Sequence, residues 1–354
     1  MKGIYFVIAL FFLFLPIKAS SLAESYVVMD FDSERVLFSK DSQKEKLIAS
    51  TTKIMTCLIA LEKGNLESER TVGEEVLKAF GSAIYLQIGE KMRLKDLLYG
   101  LMLRSGNDAA IEIAYHIAGN TDNFVALMNE KAVELGMNHT HFINPHGLEN
   151  EKKEGNTSTA YDMALLMRYA LLNDNFKEII HTKSYKASTL NKSYVWQNKN
   201  KLLFSYEYQL GGKTGFTKKA KRTLVTASSK DEKTCIVVTL NDGNDFLDHK
   251  NFCEEVFKNY DRVLLLDKDN FVIDEENPAK YYIKENLYAL LKEEEKKNLQ
   301  IKINLDNTSQ EERVGEAFVY LGDTLLSKTD IYQEINKSVK ENFFVKFWRW
   351  LTHW

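Results

Sequence analysis

Ser50 and Lys53 are the first residues in this sequence whose types and spacing could carry out covalent chemistry. They lie three positions apart at the start of an apolar run with helical spacing, which places both side chains on one helix face. A serine caps a helix well, but a lysine in the first turn opposes the helix dipole. On an enclosed face, loss of water lowers the pKa of the lysine, which can then take the serine proton. The pair alone is close to chance expectation, so it indicates a nucleophile only together with partners.

Ser105-Gly106-Asn107 forms the second candidate group, between two runs with helical spacing. One interpretation is structural, because these residues suit a turn that caps the following helix. In the functional interpretation, Ser105 lies beside Lys53 and relays a proton toward the leaving amine. Asn107 would then hydrogen-bond the substrate backbone.

Lys213-Thr214-Gly215 is the most specific of the groups and follows Gly211 and Gly212. A lysine and a threonine hydroxyl on a strand can bind a carboxylate by charge and hydrogen bond. Gly215 has no side chain, so a ligand backbone can lie along the strand edge there. A strand-edge turn without a ligand is the alternative.

The groups occur in the order Ser-x-x-Lys, Ser-x-Asn and Lys-Thr-Gly, 55 and 108 residues apart. This motif set is found in β-lactamases and penicillin-binding proteins. The sequence resembles the low-molecular-mass penicillin-binding proteins that act as D-alanyl-D-alanine carboxypeptidases. Further stretches that look like this family are residues 49–56, 97–110, 144–148 and 158–164.

The resemblance implies a serine-type carboxypeptidase that removes the terminal D-Ala from peptidoglycan stem pentapeptides through an acyl-enzyme on Ser50. It implies covalent inhibition by β-lactam antibiotics and calls for no cofactor and no metal. Nucleic acid is not an expected partner, because the formal net charge is −3 and no basic stripe is present.

Carried over position by position, the resemblance implies that Ser50 is acylated, that Lys53 is the general base and that Ser105 relays protons. The residues implied in substrate binding are Asn107, Lys213, Thr214 and Gly215. The implied oxyanion hole consists of the backbone N–H groups of Ser50 and Phe216.

Two positions depart from the family pattern. Lys221 stands where a glycine is usual, and Asn156 and Thr157 stand near a frequent histidine. Neither position belongs to a motif, although Lys221 could alter the loop beside the Lys-Thr-Gly strand.

The elements that must position these residues indicate an α+β fold. Strand-like runs occur at residues 26–30, 36–39, 224–228 and 235–240. Helices are expected from Ser50 onward and at residues 95–103, 109–118, 123–135, 160–172 and 249–266. Strands at both ends with helices between them predict a penicillin-binding/β-lactamase-like catalytic domain, in which an antiparallel sheet flanked by helices adjoins a helical subdomain.

The predicted order of domains is a signal peptide at residues 1–23, the catalytic domain at 24–265 and a small β-rich domain at 266–334. Lys2, the apolar run over residues 4–15 and small residues before position 24 suit an exported leader. An uncleaved anchor is the alternative. The β-rich domain is inferred from strand-like runs at residues 300–305 and 315–321.

Residues 335–354 predict an amphipathic helix. Its aromatic residues fall on one arc of a helical wheel, while Lys346 and Arg349 lie on the other side. This pattern suits a helix lying on anionic lipid, so we expect peripheral anchoring on the outer face of the cytoplasmic membrane. A helix packed on the β-rich domain is the alternative.

Other functions share some of these sequence features with the carboxypeptidases. A class A β-lactamase needs a glutamate that positions water, and its middle motif is Ser-Asp-Asn rather than Ser-Gly-Asn, so we expect slow deacylation here. A zinc peptidase would rest on His139, His141 and His146 without a second ligand cluster. A non-catalytic cell-wall-binding protein is the remaining alternative.

The three cysteines do not favour any of these functions. Cys57, Cys235 and Cys253 lie in apolar surroundings without metal-ligand spacing, so buried free thiols are expected.

Overall fold

The computed structural model describes residues 21–190, 192–273, 281–306 and 312–333. Most of the predicted signal peptide and the predicted tail helix therefore lie outside the described residues. Among the residues it describes, no helix is both long and apolar enough to cross a membrane.

The strands, in chain order, are β1 Ser25–Asp30, β2 Val36–Lys40, β3 Lys46–Leu47, β4 Glu69–Thr71, β5 Lys91–Arg93, β6 Thr157–Ser158, β7 Ser184–Ser188, β8 Ser193–Gln197, β9 Gln209–Thr217, β10 Lys221–Lys230, β11 Lys233–Leu240, β12 Asp261–Leu266, β13 Tyr281–Tyr282, β14 Leu287–Leu291, β15 Leu299–Leu305, β16 Arg313–Leu321 and β17 Thr324–Gln333. The α-helices are α1 Lys53–Lys63, α2 Leu94–Arg104, α3 Asn107–Ala118, α4 Thr121–Glu134, α5 Ala160–Ala170, α6 Asp174–His181, α7 Leu202–Ser205 and α8 Asp245–Asn259. Short 3-10 turns occupy Ala49–Thr52, Glu74–Lys78 and Glu293–Asn298.

A five-stranded antiparallel sheet in the order β2-β1-β11-β10-β9 joins the two ends of the catalytic region. Alternate side chains of each strand point to opposite faces. Val225 and Val238 therefore pack against the helical core, while Leu224 and Val237 pack against α8. The predicted α+β class and the sheet built from sequence-distant strands are confirmed.

Helix α1 runs through the middle of the helical core. Ile54, Met55, Leu58 and Ile59 are fully or almost fully buried, which leaves only the last turn of the helix near solvent. Full burial on all sides holds α1 rigidly and so fixes the position of the residues at its N-terminal end.

The predicted helix over residues 249–266 is wrong at its C-terminal end. Helix α8 ends at Asn259, and Asp261–Leu266 is strand β12, which pairs with β14 from Asp261 opposite Leu291. A short apolar run satisfies helical and strand periodicity equally, and the distant partner strand decides between them.

Strands β12 to β17 form the predicted β-rich unit. A four-stranded sheet in the order β13-β17-β16-β15 packs beside the β12–β14 pair. Ala289, Ala317, Val319 and Ile331 are buried in a separate apolar cluster. Strands β14 and β17 were not predicted from the sequence, because their alternation is weak.

Candidate active site

Ser50 lies in the 3-10 turn Ala49–Thr52, and the α-helix itself begins at Lys53, one turn later than predicted. Ala49 has φ 48°, a left-handed conformation that is costly for a residue with a side chain. Gly147 packs against this turn so closely that a Cβ there would lie 1.9 Å from the Ala49 carbonyl oxygen. The turn is thus held in a strained shape that presents Ser50, half-buried, to a cleft.

Lys53 is fully buried beneath Ser50. Its Nζ lies 3.0 Å from Ser50 Oγ, 2.7 Å from Asn107 Oδ1 and 2.6 Å from the His146 carbonyl oxygen. A neutral amine has two N–H donors and one lone pair. Because an amide oxygen and a carbonyl oxygen can only accept, they take the two donors. The lone pair is then left for the proton of the Ser50 hydroxyl.

The surroundings of Lys53 favour this neutral form. Burial away from water lowers the pKa of Lys53 well below its usual value, and the nearby ammonium groups of Lys213 and Lys199 lower it further. A lowered pKa makes Lys53 better suited to act as a base than an exposed lysine is.

Ser105 and Asn107 lie in the turn between α2 and α3, as predicted. Ser105 caps α2 with φ 64°, and this left-handed conformation turns its buried Oγ toward Lys213 Nζ at 3.1 Å. The Asn107 amide binds the protein at both ends, since Nδ2 donates to the Phe80 carbonyl at 2.6 Å. Asn107 therefore orients Lys53 directly, a contact that differs from its predicted role as a substrate-backbone ligand.

Lys213 lies on β9, the edge strand of the main sheet. Its side chain is 1% exposed, and Nζ donates to Ser105 Oγ and, at 2.7 Å, to the Thr214 carbonyl oxygen. Burial lowers the pKa of Lys213 to about 7, with a further contribution from the charge of Lys199. Lys213 can thus both bind an anion and exchange a proton with Ser105 near neutral pH.

The backbone of Phe216 presents an N–H group to the same cleft. Phe216 of β9 lies opposite Arg222 of β10, and the Arg222 carbonyl accepts the Asp242 N–H at 3.1 Å on the β11 side. In an antiparallel pair the N–H and C=O of one residue point the same way. Arg222 therefore points away from β9, and the N–H of Phe216 points to the open edge.

Gly215 brings this edge against the nucleophile. A Cβ at Gly215 would lie 2.3 Å from Thr223 Oγ1 and 3.0 Å from the backbone nitrogen of Ser50. Only a residue without a side chain lets the strand approach the Ser50 turn this closely. The backbone nitrogen of Ser50 therefore lies close to the strand edge on which the Phe216 N–H is exposed, and these are the two groups predicted to form the oxyanion hole.

The cleft has a volume of about 510 Å³ and a strongly basic lining. Lys199, Lys201 and Arg222 line it, and none of the three was singled out from the sequence. Arg222 is held by Asp245, with Nε 3.1 Å from Oδ2, so its position is fixed before any ligand binds. The basic residues suit a substrate that ends in a carboxylate.

The two departures from the family pattern lie close to the site. Asn156 is buried, and its amide donates to Thr52 Oγ1 and the Asn144 carbonyl, each at 2.9 Å, so it supports the Ser50 turn. Lys221 has φ 62°, in the left-handed region that glycine adopts without strain. This conformation explains physically why glycine suits the position.

The glutamate that has the spacing of a water-positioning residue lies far from the nucleophile. Glu-x-x-x-Asn occurs once between the second and third motifs, at Glu134 and Asn138. Lys131 contacts both Glu134 and Glu62, at 2.8 and 2.9 Å. Because Glu62 lies at the end of α1 opposite Ser50, about 14 Å along the helix axis, Glu134 is remote from the nucleophile.

Among the described residues, no group of three His, Cys, Asp or Glu side chains could hold a metal ion. Burial lowers the pKa of His146 to about 3, with a smaller effect of Lys53, and Nδ1 accepts the Leu148 N–H. The predicted buried free thiols are confirmed for all three cysteines, with Cys235 and Cys253 in contact at 3.3 Å between their Sγ atoms.

A serine beside a buried lysine, the exposed N–H of a neighbouring edge strand and a basic cleft are the arrangement of the penicillin-binding class of proteins. Comparison with known proteins agrees. A family model described as D-alanyl-D-alanine carboxypeptidase matches residues 16–244, and one described as Penicillin-binding protein 5, C-terminal domain, matches residues 261–338. The chain belongs to the D-alanyl-D-alanine carboxypeptidase family, which consists of serine peptidases that act on the cell wall and whose members bind β-lactams.

Individual relatives give the extent of the similarity. The chain is 37% identical over 222 residues to D-alanyl-D-alanine carboxypeptidase DacF of Bacillus subtilis, a match that covers 61% of this chain and 56% of that protein. It is 34% identical over 218 residues to DacB2 of Mycobacterium tuberculosis, covering 62% and 74%. The match thus spans little more than half the length of the Bacillus relative.

Solved structures support the fold. Penicillin binding protein 5 of Haemophilus influenzae superimposes with a TM-score of 0.75 at 22% identity, covering 89% of this chain and 97% of that one. The D-alanyl-D-alanine carboxypeptidase of Mycobacterium tuberculosis H37Rv superimposes with a TM-score of 0.65 at 30% identity, covering 69% and 94%.

Proposed function

We propose that this protein is a D-Ala-D-Ala carboxypeptidase that removes the last residue of peptidoglycan stem pentapeptides. The observation that supports this most directly is the set of three contacts made by Lys53 Nζ, which leaves its lone pair for the Ser50 proton. Family membership agrees with this activity.

In the first step, the terminal carboxylate of the substrate binds at Lys213 and Thr214 on the basic side of the cleft. The backbone N–H groups of Ser50 and Phe216 hold the oxygen of the scissile carbonyl. Lys53 takes the Ser50 proton as Oγ attacks, and negative charge that develops on the carbonyl oxygen is stabilised by the two N–H groups.

Collapse of the tetrahedral intermediate breaks the peptide bond and releases D-Ala. The leaving amine needs a proton, and the Lys53 ammonium is its source. Ser105, whose Oγ accepts a hydrogen bond from Lys213 Nζ, is the relay that we propose for this proton. Water then attacks the acyl-enzyme carbonyl and Lys53 accepts its proton. Lys53 returns this proton to Ser50 Oγ as the ester bond breaks, and the shortened stem peptide leaves.

A β-lactam enters the same pathway but has no leaving group that departs, so its acyl-enzyme persists. We expect slow deacylation, because the described residues place no carboxylate in contact with Ser50 or Lys53. Nitrocefin should therefore label the protein with little turnover. Rapid, sustained hydrolysis would instead identify a β-lactamase.

The principal test is mass spectrometry of a pentapeptide ending in D-Ala-D-Ala after incubation with the wild type and with Ser50→Ala. Loss of one alanine with the wild type only is the expected result. A matched control is Ser82→Ala, which removes another hydroxyl that lines the cleft. Absence of both cleavage and a penicillin adduct in the wild type would favour the non-catalytic wall-binding protein.

We further propose that the protein is exported and held at the outer face of the cytoplasmic membrane by its C-terminal segment. The apolar leader and the aromatic arc opposite Lys346 and Arg349 support this location. Removal of residues 338–354 should release the protein from membranes. Retention of the truncated chain on membranes would refute the anchoring.

A further inference from the structure

The segment from residue 77 to residue 88 carries apolar side chains that no part of the described structure covers. Leu77, Phe80, Tyr85 and Ile88 are 71%, 62%, 75% and 51% exposed. Single exposed apolar residues are common, but several on one short segment mark a binding surface when they border a cleft.

This segment borders the active-site cleft. Ser82 lines the cleft, and its carbonyl accepts the Asn107 backbone N–H at 2.8 Å. The Phe80 carbonyl accepts from the Asn107 side chain at 2.6 Å. The surface is therefore continuous with the site that Lys53 and Ser50 occupy.

Tyr85 is held outward by a dedicated set of contacts. The buried carboxylate of Asp108 accepts the N–H groups of Ile84 and Leu86, the residues on either side of Tyr85, at 3.0–3.1 Å. Tyr85 itself has φ 63°, and Lys192 Nζ donates to its carbonyl at 2.5 Å. A strained backbone persists only where its surroundings impose it, and such strain concentrates at functional positions.

We propose that the exposed rings of Tyr85 and Phe80 form a platform for the amino-sugar strand that carries the stem peptide. The inference rests on the proposed function, because that activity defines which polymer reaches the cleft. An aromatic ring offers a flat apolar face, and the C–H face of a sugar ring can stack on it. The platform would make the polymer a better substrate than the free peptide.

One extended substrate can reach both the Ser50 nucleophile and the segment from residue 77 to residue 88. Contacts of 3.0, 2.7 and 2.6 Å link Ser50 Oγ through Lys53 and Asn107 to the Phe80 carbonyl, which places that carbonyl within about 11 Å of the nucleophile. Four residues separate the reacting carbonyl of a stem pentapeptide from the sugar, and they extend to at most about 14 Å. The length of the stem peptide therefore allows its sugar to reach the Phe80 backbone, from which the segment with the two rings continues.

The test compares Tyr85→Ala with Tyr85→Phe in the full chain. Release of D-Ala is measured from uncrosslinked polymeric peptidoglycan and from the free pentapeptide. Tyr85→Ala should lower kcat/KM on the polymer about fivefold and leave the pentapeptide within a factor of two. Tyr85→Phe keeps the ring and should match the wild type. Val133→Ala, which removes an equally exposed apolar side chain on α4, is the matched control.

Binding is measured independently of turnover by sedimentation of the full-length Ser50→Ala chain with insoluble peptidoglycan. Adding Tyr85→Ala should weaken this binding about fivefold, and adding Phe80→Leu should weaken it further. This arm remains informative if the wild type cleaves neither substrate, an outcome that would refute the proposed function alone. The platform would be overturned if Tyr85→Ala lowered kcat/KM equally on the polymer and on the pentapeptide. It would also be overturned if Tyr85→Ala left binding to the polymer unchanged. Loss of binding to anionic lipid vesicles with polymer binding intact would overturn it as well and would assign the surface to the membrane.

Discussion

Replacing Lys199 by glutamine should move the pH dependence of acylation to higher pH. The Lys199 ammonium contributes, after burial, to the lowered pKa of both Lys53 and Lys213. Lys53 acts as a base only when neutral, so acylation rises with pH through its pKa. Lys213 binds a carboxylate best when protonated, so acylation falls as pH rises through about 7. Removal of a nearby positive charge raises both pKa values, and both limbs of the bell-shaped profile shift together.

The size of the shift follows from the dimensions of the cleft. A volume of about 510 Å³ corresponds to a sphere roughly 10 Å across, which sets the scale of the separation between the ammonium groups. Two unit charges at about 10 Å interact by about 1.7 kcal/mol at an effective dielectric constant of 20, or about 1.2 pH units. Because Lys199 is exposed, solvent screens this by about half. We therefore expect both limbs to move by about half a pH unit.

The assay is the second-order rate constant of acylation by benzylpenicillin, measured from about pH 5 to pH 10, where the lysines with lowered pKa titrate. Lys201→Gln is the matched control, because Lys201 also lines the cleft but does not contribute to either lowered pKa. A Lys199→Gln profile that stays in place or moves to lower pH would refute the electrostatic reasoning. Equal shifts in the two variants would show that only the total charge of the cleft matters.

Three further predictions concern the supports of the site. Gly215→Ala should lower the rate of acylation by labelled penicillin at least about 100-fold. The new Cβ would lie 2.3 Å from Thr223 Oγ1 and would push the strand away from Ser50. An acylation rate within tenfold of the wild type would contradict this. Lys221→Gly should raise the free energy of unfolding in urea by about 1 kcal/mol by relieving the strain at φ 62°, whereas Lys221→Ala should bring no gain. Asn156→Ala should lower the free energy of unfolding by about 3 kcal/mol, since it leaves buried partners unpaired, and a loss below 1 kcal/mol would mean that water replaces the amide.

The local character of the longer elements around the site could be predicted from the sequence. The hairpin of β1 and β2, helices α2 to α5 and strands β10 and β11 follow from apolar periodicity and turn residues, which act over a few neighbours. The end of α8 could not be predicted in this way. Asp261–Leu266 becomes a strand only because Leu287–Leu291 lies beside it, and a distant partner leaves no local signal.

The residues of the candidate site also include some that the sequence could identify and others that it could not. The motifs and their order pointed to Ser50, Lys53, Ser105 and Lys213. The structure brings these side chains to one cleft in two hydrogen-bonded groups, Ser50 with Lys53 and Asn107, and Ser105 with Lys213. Their catalytic roles remain proposals that the experiments above test. The basic wall of the cleft went unrecognised, because isolated lysines and arginines in a sequence are indistinguishable from ordinary surface charges.

Sequence alone therefore determined the family, the α+β class and the identity of the residues that could react, because each depends on residue types at fixed spacings. Only the tertiary structure decided the surroundings that set the pKa values of these residues. Burial and the charges of Lys213 and Lys199 lower the pKa of Lys53, and these groups come from distant parts of the chain. Its two acceptors, Asn107 Oδ1 and the His146 carbonyl, likewise meet it only in the folded protein, since a pKa is set by three-dimensional surroundings.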